Sequence, residues 1–227
     1  MPQLNPESIN VDFEQVALNS LRFAFPDADL NECFFHLMKN FEKHLGEAGL
    51  ITQYSDPAFD FALTSRRILS LAFVPPLDVY ECLHELQVYL MSHQPCLEPV
   101  LKWFSSNYVV SVYRYSDEAS ALPVSLWSCY ERTLRGEDRT NNFAEAAHRR
   151  LQTIPDIHHP TMGLFVGEMK KVSDHTYEQC IRGQQAPEER RVYQEADKRI
   201  LALVELYGTK SLIEYLRGLA HNFIMDQ

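Results

Sequence analysis

The 227-residue chain carries 31 acidic against 21 basic side chains, a formal charge of −10, and 45% of its residues are hydrophobic. Length and apolar content suit one large or two small domains with a real core, whereas the charge has the wrong sign for a protein that wraps DNA unaided, so nucleic-acid contact is expected only from a local basic patch. Five cysteines without regular spacing argue against a secreted disulfide framework and for a reducing compartment. The amino-terminal MPQLNPESINVDFEQ has no positive stretch before an apolar one, and no later window approaches the ~18 apolar residues of a membrane span, so neither secretion nor membrane insertion is expected.

Ser8 to Asp12 alternate apolar and polar positions and predict a short strand ending at Asp12. From Phe13 to Phe25, Val16, Ala17, Leu21, Ala24 and Phe25 recur at helical spacing, and Pro26 stops the helix. A second short apolar stretch runs into Cys33, Phe34 and Phe35, followed by a helix from His36 through Phe41 to Leu45, closed by Gly46 or Gly49. Beyond that point the pattern is almost entirely helical, with breaks at Pro57, Pro75-Pro76, Pro95, Pro123, Pro155, Pro160 and Pro187. Apolar stripes predict helices over 58–74, 77–92, 97–110, 125–135, 141–152 and 161–182. Ile200, Leu203, Val204 and Tyr207 form one further face, and Leu212, Tyr215, Leu216 and Leu219 another after Gly208. The polar stretch Arg182 to Glu189 is the best linker candidate.

Three clusters carry chemistry-bearing residues: Val-Asp-Phe-Glu at 11–14, Cys-Phe-Phe-His at 33–36, and Arg-Thr-Asn-Asn-Phe-Ala-Glu-Ala-Ala-His at 139–148. Taken alone, Asp12 at a strand-to-helix junction reads as an N-cap. Glu145 early in a helix reads as a macrodipole partner or as half of a capping box with Asn142. Cys33 and His36, three apart on a helix, would share a face and could reach one zinc ion, but no second close Cys/His pair completes four ligands. A buried thiol and a hydrogen-bonded core histidine is the preferred reading, and zinc is not expected. Arg149 and Arg150, one turn beyond Glu145, are the basic pair best placed to touch a phosphate, although a solvated helix face is the default. Trp103 and Trp127 read as core rather than as a base-stacking platform.

In this order, with Phe-Pro between the first two clusters and a long helical stretch before the third, the chain resembles the carboxyl-terminal part of the catalytic core of Mutator-like (MULE) transposases. FAFPDADLNECFFHLMKNF is similar to that family's helix, strand and Cys-x-x-His passage. LSLAFVPPLDV, RTNNFAEAAHRRL, HHPTMGLFV and EYLRGLAHNF resemble segments that follow it, so the resemblance runs from about Ile9 to the end. It implies a ribonuclease-H-like core in which three acidic side chains hold two Mg²⁺ or Mn²⁺ ions for DNA strand cleavage and transfer. Asp12 matches the family's second acidic residue and Glu145 the third, both as catalytic metal ligands. Cys33, His36, Asn141, Asn142 and His148 match the motif residues beside the site, and Arg139, Arg149 and Arg150 are the candidate DNA contacts.

Only eleven residues precede Asp12, so the first acidic residue is expected to be missing and the chain to be inactive alone: a fragment or degenerate copy, with a domesticated, non-catalytic DNA- or protein-binding helical module as the alternative. Transposon-end DNA, a homo-oligomer or a missing amino-terminal half are the implied partners, and a nuclear location follows from the resemblance alone. The expected fold is mainly α (α+β), with two short strands. Its parts are a partial ribonuclease-H-like core over 1–50, a helical insertion over 51–135, a closing core helix bearing Glu145 and the following helix over 136–183, and a helical hairpin over 184–227.

Overall fold

The alternating segment near the amino end forms strand β1, Ser8–Val11, and pairs in parallel with β2, Asp29–Glu32, in the register Ser8↔Asp29 to Val11↔Glu32. A parallel pair needs a crossover, and α1, Gln15–Ala24, supplies it. Helix α1 buries Leu18 against Val11 and Leu126, with Ile9, Leu21 and Leu30 at the margin. Its other face is open, Val16 and Phe23 being 79% and 91% exposed. The structure, a computed structural model, describes residues 5–12, 15–56, 60–109, 123–140, 161–182 and 191–223.

The second strand differs from the expected apolar run, because it consists of Asp-Leu-Asn-Glu and stops before the phenylalanines. Cys33 donates its N–H to Val11 O, extending the ladder by one bond, and its carbonyl then accepts from His36 and Leu37 to open α2, Phe34–Glu47. Phe34, Leu37, Met38, Phe41 and Leu45 make the buried stripe of α2. The helix closes on Gly49, at φ 72°, with Gly49 N–H bonded to Gly46 O and Leu50 N–H to Leu45 O, a paired cap that satisfies two terminal carbonyls.

Helices follow: α3 Ile51–Tyr54, α4 Phe61–Ser70 with a 3-10 turn to Phe73, α5 Val79–His93, and α6 Glu98–Phe104 with a π-helical turn to Val109. Next come α7 Val124–Trp127, α8 Tyr130–Leu134, α9 Met162–Ile181, α10 Arg191–Val204 and α11 Leu212–Ala220. Every described element between 51 and 135 is helical, so the chain is mainly α with one two-stranded parallel sheet among the described residues. The helix expected over 125–135 is broken in two. Ser128 is extended, at ψ 135°, and Cys129 turns its N–H to Ala72 O rather than along the helix. The helix expected over 141–152 and the linker core at 183–189 lie outside the described residues.

Contacts gather the chain into two compact units, 1–140 with 195–227, and 141–194. In the first, one main core cluster draws on described residues from Phe34 to Phe223, on both sides of the 50/51 position. Its most extensive helix pairing joins α4 to α11. Phe34, Phe73 and Phe223, with ring centroids 5.1–5.6 Å apart, tie the first helix of this core to the last residues described. Gly218 lets α10 approach α11 closely, since a Cβ there would meet Leu203 Cδ2 at 3.1 Å. The second unit contains α9, whose Met162, Val166 and Met169 are exposed at helical spacing.

Candidate functional site

The two strands end side by side, and the residues at those ends bear the chemistry. Asp12 follows directly on β1, and His36 sits in the first turn of α2, which grows from the end of β2. His36 Nδ1 lies 3.1 Å from Asp12 Oδ1, with the side chains 29% and 42% exposed. Cys33, completely buried and outside any disulfide, occupies the N-cap position of α2. Three residues picked out from sequence, Asp12, Cys33 and His36, therefore share one strand-to-helix junction. The pairing with His36 gives Asp12 a tertiary partner, which a purely local cap would not.

Two residues that sequence reasoning did not single out complete the junction. Glu32, opposite Val11, is 1% exposed, and neither carboxyl oxygen has a hydrogen-bond partner among the described residues. Burial pushes its pKa up to about 8; the Arg132 guanidinium pulls the other way and the Asp12 charge pushes further up. Glu32 is therefore largely protonated at neutral pH. Burial likewise raises the nearby Tyr108 hydroxyl to about 12, against the opposing pull of the Asn40 hydrogen bond.

The second is Arg132, 3% exposed in α8. Its Nε donates to Ser128 O at 3.1 Å, Nη1 to Asn10 Oδ1 at 3.0 Å, and Nη2 to Glu32 O at 3.0 Å and Cys129 Sγ at 3.4 Å. One planar fork thus ties both strands to α8. These donors go to carbonyls, an amide and a thiol, so none of these bonds reaches the Glu32 carboxyl. The signal for Glu32 was a carboxylate immediately before the Cys-x-x-His run. Nothing local marked Arg132, whose partner Asn10 is 122 positions away.

Of the expected DNA contacts, Arg139 is described. Its carbonyl accepts from Phe34 N–H at 2.9 Å, its guanidinium pairs with Asp197 and lies 5.5 Å over the Phe73 ring, and the side chain is 13% exposed. Asn141, Asn142, Glu145, His148, Arg149 and Arg150 lie outside the described residues. Trp127 is core, its Nε1 donating to Tyr108 O at 3.0 Å, and Trp103 packs at 4.0 Å from the His44 ring. Among the described residues no three His, Cys, Asp or Glu side chains converge on one point, and no helix is long and apolar enough to cross a membrane. An open groove of about 550 Å³ beside β2 sets Arg22, Arg132 and Arg135 against Asp29, Glu131 and Glu137, a balance of charge rather than a basic patch. No protein-family model, curated protein or solved structure matches the chain.

Proposed function

We propose that this chain is the carboxyl-terminal part of a MULE-type DDE transposase, in which Asp12 and Glu145 are two of three carboxylates serving metal-dependent DNA strand cleavage and transfer. The observation that supports this reading is the junction itself. Asp12 stands at the end of one of two adjacent parallel strands, and His36 of the Cys-x-x-His run is 3.1 Å away. A parallel pair joined by a helix also suits part of a ribonuclease-H-like sheet.

The donor chemistry fits a hard divalent ion. Asp12 offers a half-exposed carboxylate, and Mg²⁺ or Mn²⁺ prefers oxygen and retains water. When bound, such ions supply activation of the attacking oxygen and stabilisation of the leaving one. In this reading Asp12 and Glu145 hold the ions, His36 orients the Asp12 carboxylate, and Arg132 keeps the two strand ends in register.

The test is calorimetric titration of the purified chain with Mn²⁺ beside an Asp12→Ala, Glu145→Ala double variant of equal helicity. Binding that disappears in the variant is the expected result, and a wild-type chain that takes up no Mn²⁺ would overturn the metal-dependent reading. A second reading, a non-catalytic module that binds a protein partner, draws on how the basic side chains are used. Arg132 and Arg139 are engaged within the chain, the groove is charge-balanced, and the formal charge is −10.

A further inference from the structure

We infer that Glu32 is a second carboxylate ligand at this junction, so that Asp12 and Glu32, from the ends of adjacent parallel strands, together hold one hard divalent cation of the Mg²⁺ or Mn²⁺ class. This rests on the metal-dependent reading above but assigns a residue which that reading does not contain. Buried polar groups are almost always hydrogen-bonded, and a carboxyl with both oxygens unpartnered at 1% exposure calls for an explanation. The obvious counter-charge does not provide it, because the Arg132 donors are placed on Ser128 O, Asn10 Oδ1, the Glu32 carbonyl and Cys129 Sγ. A divalent cation would take both oxygens as ligands, displacing the carboxyl proton that the metal-free protein holds.

The register supports the pairing. Glu32 is opposite Val11, so Asp12 is the next residue at the same end of the sheet. Two like charges that oppose each other become joint ligands once a cation lies between them. Two carboxylates are enough for Mg²⁺, which completes its shell with water, so convergence of three side chains is not required. Asp12 is the solvent-facing member of the pair, through which a hydrated ion approaches, and Glu32 is the anchor. His36 at 3.1 Å from Asp12 is the outer group that fixes a ligating carboxylate.

The experiment is Mn²⁺ binding to the full chain, by calorimetry and by loss of the free-ion electron paramagnetic resonance signal, for wild type, Glu32→Gln, Glu32→Asp, Asp12→Asn and Glu145→Gln. Glu32→Gln keeps shape and removes only the charge, and circular dichroism confirms its fold. The expected result is Mn²⁺ affinity at least ~10-fold weaker in Glu32→Gln and in Asp12→Asn, the scale seen when a metal site loses a supporting group. Glu32→Asp, which restores the charge on a shorter arm, should bind more tightly than Glu32→Gln. Wild-type affinity in Glu32→Gln together with loss in Asp12→Asn would overturn this inference while leaving the transposase reading intact. Loss in both, with Glu145→Gln unchanged, would support the inference and count against the Asp12–Glu145 site. No uptake by wild type would overturn both.

Discussion

The seam between α4 and α11 and the junction at the ends of β1 and β2 both bury polar groups, but they treat them differently. Along the seam, the Ser70 hydroxyl sits 3.1 Å from Arg66 O and 3.0 Å from Leu216 O, and the Tyr215 hydroxyl donates to Phe73 O. Arg67, whose Nε and Nη1 make no hydrogen bond, has its guanidinium over the Tyr89 ring at 4.7 Å. At the strand ends, Glu32 has neither a hydrogen bond nor an aromatic face, and Asp12 stands close enough to oppose its charge. Along the seam the buried polar groups are met by protein partners, Ser70 by Leu216 O and Tyr215 by Phe73 O. At the strand ends a buried carboxyl is left unmet among the described residues.

The contrast can be broken most forcefully in the seam and its neighbouring core. Phe41→Ala or Leu216→Ala, at completely buried positions, should cost about 3–5 kcal/mol in urea unfolding. A loss below about 1 kcal/mol would show that this core is not close-packed. The next effect belongs to Glu32 in metal-free buffer. Its folded pKa is raised from 4.5 to about 8, so the folded state holds a proton that the unfolded chain releases. The stability it contributes is full below about pH 4.5 and is lost as pH rises through about 8. Unfolding free energy should therefore fall by about 3 kcal/mol between pH 5 and pH 8.5, and Glu32→Gln should remove most of that slope. Parallel pH profiles for the two proteins would refute it.

Arg132→Met should cost about 2–3 kcal/mol, because Asn10 Oδ1 and two carbonyls lose a charged donor together. Hydrogen exchange should then speed up at the Cys33 amide, which bonds to Val11 O, before it does in α4, if the junction opens separately from the seam. Equal acceleration in both would merge the two regions into one cooperative unit. The smallest effect is expected at Gly208, which adopts φ 79° with open space where a Cβ would go. Gly208→Ala should cost about 1 kcal/mol, from backbone strain alone.

Much of the architecture was legible in the chain because its causes are local. Alternation over Ser8–Asp12, the helical stripe before Pro26, the Phe34-to-Leu45 face of α2 and the breaks at Pro75-Pro76, Pro95 and Gly208 all depend on neighbours within a turn or two. The division between α7 and α8 did not show, because it depends on Cys129 bonding to Ala72, 57 positions away by residue number. Strand β2 was read as apolar because Phe34 and Phe35 draw attention from Asp-Leu-Asn-Glu, whose burial comes from β1 and α7 packing on it. For the site, Asp12, Cys33 and His36 were visible as residue types at strand and helix boundaries, and they meet at one junction. Arg139 was visible as a charge, and its engagement by Asp197 and Phe73 was not.

By itself, the sequence determined a mainly helical chain with a short strand-helix-strand opening, and it named Asp12 and the Cys-x-x-His run, because periodicity and breaker residues act over a few positions. The tertiary structure alone decided that Glu32 is buried without a partner, that Arg132 pins both strands, and that His36 faces Asp12. Burial and charge coupling are properties of what surrounds a side chain, and those surroundings come from segments roughly 100 residues apart that meet only when the core closes.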